Sequence, residues 1–122
     1  IVEDNPADLF VLEGLLWKTW LPIDTIWKAS SGTEAVLQLQ KHKPSLILLD
    51  LSLTDSTGID SYKSIQHLAL DIPILVLTGL ADMDMALETM SLGAQDYLVK
   101  GEFDEKLLAK SIQYSIERKK NL

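Results

Sequence analysis

Five residues along the chain could handle a metal ion or a phosphate, and each follows a short apolar run. Asp50 ends the run Leu46-Ile47-Leu48-Leu49 and opens a polar stretch with Ser52, Thr54, Asp55, Ser56, Thr57 and Gly58. Glu3 and Asp4 follow Ile1-Val2. Thr78 closes Ile74-Leu75-Val76-Leu77, and Lys100 closes the run Tyr97-Leu98-Val99. Three carboxylates brought together repel one another, and their pKa values rise unless a cation sits among them. A hard divalent ion suits such an oxygen donor set, and Mg²⁺ fits it best. The ammonium of Lys100 and the hydroxyl of Thr78 would supply donors on the far side. Together these groups suit a phosphoryl group built on Asp50, a transfer that needs mainly positioning and charge neutralisation.

That chemistry requires one end of one sheet to hold all five residues. Residues 45–50 and 74–78 are apolar without polar alternation, which suits strands covered on both faces. Residues 1–2, 24–29 and 95–100 complete five predicted strands. Helices are expected between them. The first starts at Pro6 behind an Asn5 N-cap and runs to about Trp20, with Leu9, Leu12, Leu16 and Trp20 toward the core. The second opens at the capping-box spacing Ser31…Glu34 and runs through Lys41, with Ala35, Val36 and Leu39 inward. The third covers about 58–69 and is broken by Asp71-Ile72-Pro73. The fourth covers about 83–92 and stops at Gly93. The last spans about 103–120, with Leu107, Leu108, Ile112 and Ile116 on one face. Alternation of this kind predicts an α/β fold: a doubly wound five-stranded parallel sheet with five helices, flavodoxin-like, of order 2-1-3-4-5. In that order the first and third strands flank the crevice where the winding reverses, so Glu3, Asp4 and Asp50 meet there.

Composition narrows the class. The chain has 122 residues, enough for one domain with one core. Its net charge of −7 argues against nucleic acid or an anionic membrane as a direct partner. It has no cysteine, which excludes disulfides and thiolate metal sites and fits a cytoplasmic location. No apolar run reaches membrane-spanning length. The chain opens at Ile1 inside the first strand, so residues 1–122 are expected to be one domain cut from a longer protein, with a linker beginning after residue 118.

Glu3-Asp4, Asp50, Thr78 and Lys100, with Tyr97 three residues before the lysine, resemble the receiver domain of two-component response regulators, the CheY-like family. The segments EDNPAD, LLDLSL…G and GAQDYLVKG carry the likeness over nearly the whole chain. The resemblance implies specific roles. Asp50 would accept a phosphoryl group from a phosphohistidine on a sensor histidine kinase or a histidine phosphotransfer protein. Mg²⁺ would be held by Asp4, Asp50 and the Ser52 carbonyl, with Glu3 acting through water. Lys100 would hold a phosphoryl oxygen. Thr78 would move toward the phosphoryl group and Tyr97 would swing inward, remodelling the face of the fourth helix, fifth strand and fifth helix. Such a domain is a signalling switch that assists its own phosphorylation and dephosphorylation, not an enzyme with a separate substrate. Self-association into a homodimer stays open.

Two positions depart from the family pattern. Thr54 and Gly101 each stand where proline is usual, the second directly after Lys100. Ser52 and Leu80 are the variable positions beside the site, and an apolar Leu80 would shield the acyl phosphate from water. Phe10 and Trp17 lie seven apart on one face of the first helix, away from Leu12 and Leu16, and are candidates for docking the phosphodonor. His42 and His67 fall near helix ends far from the acid cluster and are read as surface residues. Met83, Met85 and Met90 are expected to divide between core and surface. Three alternatives remain: a pseudo-receiver serving as an interaction module, a hydrolase of haloacid-dehalogenase type, and a flavodoxin-like carrier. The hydrolase class wants an acid two residues after the nucleophile, where this chain has Ser52. The carrier class wants a Ser/Thr/Gly-rich loop after the first strand, which is absent here.

Overall fold

The computed structural model of the chain describes residues 1–53 and 57–120. In chain order its elements are α1 (Pro6–Lys18), α2 (Gly32–Lys41), β1 (Ile47–Asp50), α3 (Gly58–Leu68), β2 (Ile74–Thr78), a 3₁₀ turn (Leu80–Asp82), α4 (Met83–Ser91), β3 (Asp96–Val99) and α5 (Glu105–Lys120). β1, β2 and β3 form a parallel ladder in that spatial order. The first two predicted strands are reduced to single bridges: Val2 pairs in parallel with both Leu49 and Ala29. The spatial order is therefore Ala29, Val2, β1, β2, β3, which is the predicted 2-1-3-4-5. Residues 24–28 do not extend the edge into a regular strand. A ladder needs a neighbour along its length, and the backbone bonds between the two segments link only residues 1–3 with Trp27 and Ala29, the Ile1 ammonium donating to the Trp27 carbonyl at 2.8 Å. The Ala29 amide donates to the Ile1 carbonyl and the Glu3 amide to the Ala29 carbonyl, both at 2.9 Å.

The pleat sorts the strand side chains onto two faces. Ile47, Leu49, Ile74 and Val76 pack with Tyr62, Ile65 and Ala86 under α2, α3 and α4. Leu48, Leu75, Leu77 and Leu98 pack with Leu12, Leu16, Leu108 and Ile112 under α1 and α5. With helices on both faces, β1 and β2 are buried along their whole length, as the unbroken apolar runs predicted. The caps also match. The Asn5 side chain accepts from the amides of Ala7 and Asp8, at 2.9 and 3.1 Å. Ser31 Oγ accepts from the Glu34 amide at 3.0 Å, and the Glu34 carboxylate reaches back to Ser30 Oγ at 2.8 Å. Gly58 opens α3 so close to β1 that a Cβ there would collide with the Leu51 carbonyl and the Met85 sulfur.

Two expectations fail on packing. α1 ends at Lys18, two residues early, so Trp20 leaves the helix face and is 61% exposed rather than in the core. Leu107 is exposed on α5, where Leu108, Ala109 and Ile112 take the inner face. α5 runs to Lys120, the end expected for the last helix. Of the methionines, Met85 and Met90 pack against the larger core cluster, while Met83 is half-buried.

Candidate functional site

Asp50, the last residue of β1, follows a strand with no polar atom to spare for solvent, and its side chain is 1% exposed. Glu3 follows Val2, which lies in the sheet between Ala29 and β1, and is 2% exposed. Carboxylate oxygens of Glu3, Asp4 and Asp50 all lie within 4.8 Å of one another. β1 and β2 pair in register so that Asp50 faces Leu77. Thr78 therefore lies one residue beyond, at the same end. The Lys100 amide donates to the Thr78 carbonyl at 2.8 Å, which brings the lysine onto the same edge.

Lys100 is the centre of the charge network. Its Nζ lies 2.8 Å from Asp50 Oδ2, 2.8 Å from Glu3 Oε1 and 2.9 Å from Asp8 Oδ2. Asp50 Oδ1 accepts from both the amide of Ser52, at 3.0 Å, and its hydroxyl, at 2.8 Å. Gly101, the residue standing in place of proline, adopts φ +80° and turns the chain sharply after the lysine. Glycine takes this left-handed conformation without steric cost, and the described residues contain no cis peptide bond. Lys100 thus reaches the acids without the proline expected beside it. The other departure, Thr54, lies outside the described residues.

The electrostatics follow from burial and pairing. Burial, followed by the neighbouring Asp50, pushes the Glu3 carboxyl up to about 7. Burial also opposes ionisation of Asp50, but hydrogen bonds from Glu3, Lys100 and Ser52 outweigh it and hold its carboxyl below the ordinary range. Of the two acids, Glu3 is the one whose burial favours the protonated form and Asp50 the one whose partners favour the anion. Burial disfavours the Lys100 ammonium, yet its bonds to Asp50, Glu3 and Asp8 more than compensate and raise its pKa above the usual lysine value. Lys100 is a fixed cation.

Thr78 and Tyr97 are held differently. Thr78 is buried, and among the described residues its hydroxyl donates to the carbonyl of the next residue, Gly79, at 3.1 Å. The Tyr97 ring is half-buried against the core cluster beneath α2–α4. Ser52 and Leu80 flank the site, with Leu80 68% exposed in the 3₁₀ turn. Phe10 and Trp17 are 81% and 56% exposed on α1. His42 caps the end of α2 and stacks on Trp27, ring centroids 4.3 Å apart, and His67 is in the last turn of α3. Crossover helices run antiparallel to the strands, so both histidines lie at the opposite end of the sheet from Asp50.

One contributor was quoted in the sequence motif but given no role: Asp8, in the first turn of α1. Its signal is its spacing. It follows Asp4 by one helical turn on a helix that starts at the acid cluster, so its side chain returns to the same rim.

An α/β sheet of this order, gathering an acid cluster and a buried lysine–aspartate pair at the carboxyl ends of its strands, defines a receiver-type signalling domain. The comparisons agree. The chain belongs to the response regulator receiver domain family, whose model matches residues 1–113. It is 38% identical over 100 residues to the regulatory protein LuxO of Vibrio cholerae, covering 82% of this chain and 21% of that protein. The chain therefore spans about a fifth of the length of this relative. Its fold superposes on a response regulator receiver domain protein from Clostridium thermocellum with TM-score 0.84 at 26% identity, covering 98% and 93% of the two chains. It also superposes on the receiver domain of a sensor histidine kinase from Pseudomonas aeruginosa, with TM-score 0.79 at 26% identity over 95% and 93% of the chains. That structure holds a magnesium ion coordinated in its active-site cleft. No helix among the described residues is long and apolar enough to cross a membrane.

Proposed function

We propose that this receiver domain is phosphorylated on Asp50. The observation that carries the proposal is the geometry at the rim: a buried Asp50 with one oxygen 2.8 Å from Lys100 Nζ and the other held by Ser52, beside the carboxylates of Glu3 and Asp4. An Asp50 oxygen would attack phosphorus while the bond from phosphorus to a donor histidine nitrogen breaks, and the imidazole leaves with that electron pair. The donor would be a sensor histidine kinase or a histidine phosphotransfer protein. Lys100 already touches Asp50, so it is in reach of any oxygen attached there. The Ser52 amide and hydroxyl fix the other Asp50 oxygen and so orient the carboxylate.

The donor set fits a hard divalent cation, because three carboxylates converge and the buried pair has only one ammonium for compensation. Asp4, Asp50 and the Ser52 carbonyl would hold Mg²⁺, with Glu3 acting through water. The ion would neutralise charge on the transferred group. With the phosphoryl group in place, Thr78 would turn its hydroxyl from Gly79 toward it. Tyr97 would then move into the vacated space and alter the face of α4, β3 and α5. This is a population shift driven by a new charge. The domain would act as a switch that assists its own phosphorylation and dephosphorylation, in the cytoplasm, as the input part of a longer regulator. Phe10 and Trp17 would form the surface that docks the donor, and replacing both with alanine should slow phosphotransfer from it.

Beryllofluoride with Mg²⁺, a mimic of the phosphoryl group, tests the switch. It should shift amide resonances at residues 78 and 97 and along α4 and α5 in the wild type, and none in Asp50→Asn. An unchanged wild-type spectrum would contradict the proposal.

A further inference from the structure

We propose that Asp8 is a positioning residue for Lys100, holding the ammonium at the rim while its other two partners are called away. The inference rests on the reading of Asp50 as phosphoacceptor. A lysine ammonium has three N–H donors and no acceptor. Here three carboxylate oxygens take them, from Glu3, Asp50 and Asp8, at 2.8, 2.8 and 2.9 Å. Two of those acids belong to the convergent cluster that suits a cation, and Asp8 does not. When Glu3 and Asp50 turn to a cation, and Asp50 also carries a phosphoryl group, two of the three anchors weaken together. Asp8 is the one that every state leaves in place.

The architecture supports this division. Asp8 sits in the first turn of α1, behind the Asn5 cap that fixes its own amide at 3.1 Å, so its backbone is rigid. Its side chain is 47% exposed, against 1% for Glu3 and for Asp50. A pair that open adds little to fold stability. What it does is select one position for a long side chain that has several rotamers. A simpler role for Asp8 is to complement the positive end of the helix, as first-turn acids do. That role predicts a change in stability and no change at Lys100.

The test compares Asp8→Ala, Asp8→Asn and Asp8→Glu in three measurements. The first is the ¹⁵N-detected signal of the Lys100 side-chain ammonium, assigned by its loss in Lys100→Gln, in the absence of any phosphodonor. It should be sharp in the wild type and in Asp8→Glu, and broadened or lost in Asp8→Ala. The second is the rate of Asp50 phosphorylation by acetyl phosphate at saturating Mg²⁺. Asp8→Ala should be roughly tenfold slower, the low end for a group that supports another, and Asp8→Glu should recover most of the rate. The third is the melting temperature, which should stay the same across the series. Asp8→Asn, which keeps an acceptor oxygen but loses the charge, should fall between. An unaltered Lys100 signal in Asp8→Ala overturns the proposal, as does phosphorylation at the wild-type rate or faster. Failure of the wild type itself to gain a phosphoryl group would overturn the reading of Asp50 instead, while the Lys100 signal would still decide the role of Asp8.

Discussion

The two sides of the rim are built to different standards. On one side Asp50, Glu3 and Lys100 are tied by ion pairs of 2.8 Å, and Ser52 holds the remaining Asp50 oxygen twice. On the other, among the described residues, the Thr78 hydroxyl donates to the next carbonyl, and the Tyr97 ring is half-buried. Asp50 and Thr78 themselves end neighbouring buried parallel strands, one residue apart in register. The difference is therefore one of side-chain connection rather than of backbone. Groups that do chemistry gain from being preorganised. A switch needs groups with two places to go. The tied side would transfer the phosphoryl group, and the loose side would report it.

The largest test of that contrast is Lys100→Ala. It leaves two buried acids without their cation, and breaking a buried pair costs about 3–5 kcal/mol. Phosphorylation by acetyl phosphate should fall by roughly 10²–10³, as when one oxyanion donor is lost. Urea unfolding at about pH 8 and the phosphorylation rate check both.

The pH dependence of the metal-free domain comes next. The Glu3 pKa stands at about 7 in the fold against 4.5 ordinarily, so the folded state holds a proton that the unfolded chain releases. That stabilisation is complete below 4.5 and is lost as pH rises through 7. Between about pH 5.5 and 7.5 in chelator, stability should fall on the order of 1–2 kcal/mol, and Glu3→Gln should flatten the slope. Asp50 has the opposite sign: its lowered pKa gives stability that is lost only as pH falls below the ordinary aspartate range.

Thr78→Ala should be milder. It removes one local hydrogen bond, worth about 1 kcal/mol, and Asp50 should still be phosphorylated. The beryllofluoride response at Tyr97 should disappear. If Thr78→Ala slowed phosphorylation as much as Lys100→Ala, the two sides would not be different. The smallest effect is expected at Leu80, where Leu80→Glu should speed loss of the phosphoryl group by about twofold to fivefold, under 1 kcal/mol in barrier. An unchanged rate would remove Leu80 from the account.

The rim is legible in the sequence because each of its residues follows an apolar run. Leu46–Leu49 and Ile74–Leu77 are too short for helices and suit covered strands, and in a parallel sheet the acid or hydroxyl after each emerges at the same end. The edge was less legible. Residues 24–29 have strand-like composition, but pairing is decided by what lies alongside, and only Ala29 finds a bridge. Trp20 was misplaced because helical spacing predicts a face only while the helix lasts, and α1 stops at Lys18. Asp8 carries no such signal, because an acid in a first turn has a sufficient local reason to be there. Its link to Lys100 spans 92 residues and becomes visible only when β3 is laid beside β2.

The most direct measurement is intact mass after incubation with acetyl phosphate and Mg²⁺, alongside Asp50→Asn and a chelated sample. The account predicts a gain of one phosphoryl group in the wild type, absent from both controls. No gain in the wild type, or the same gain in Asp50→Asn, would contradict it.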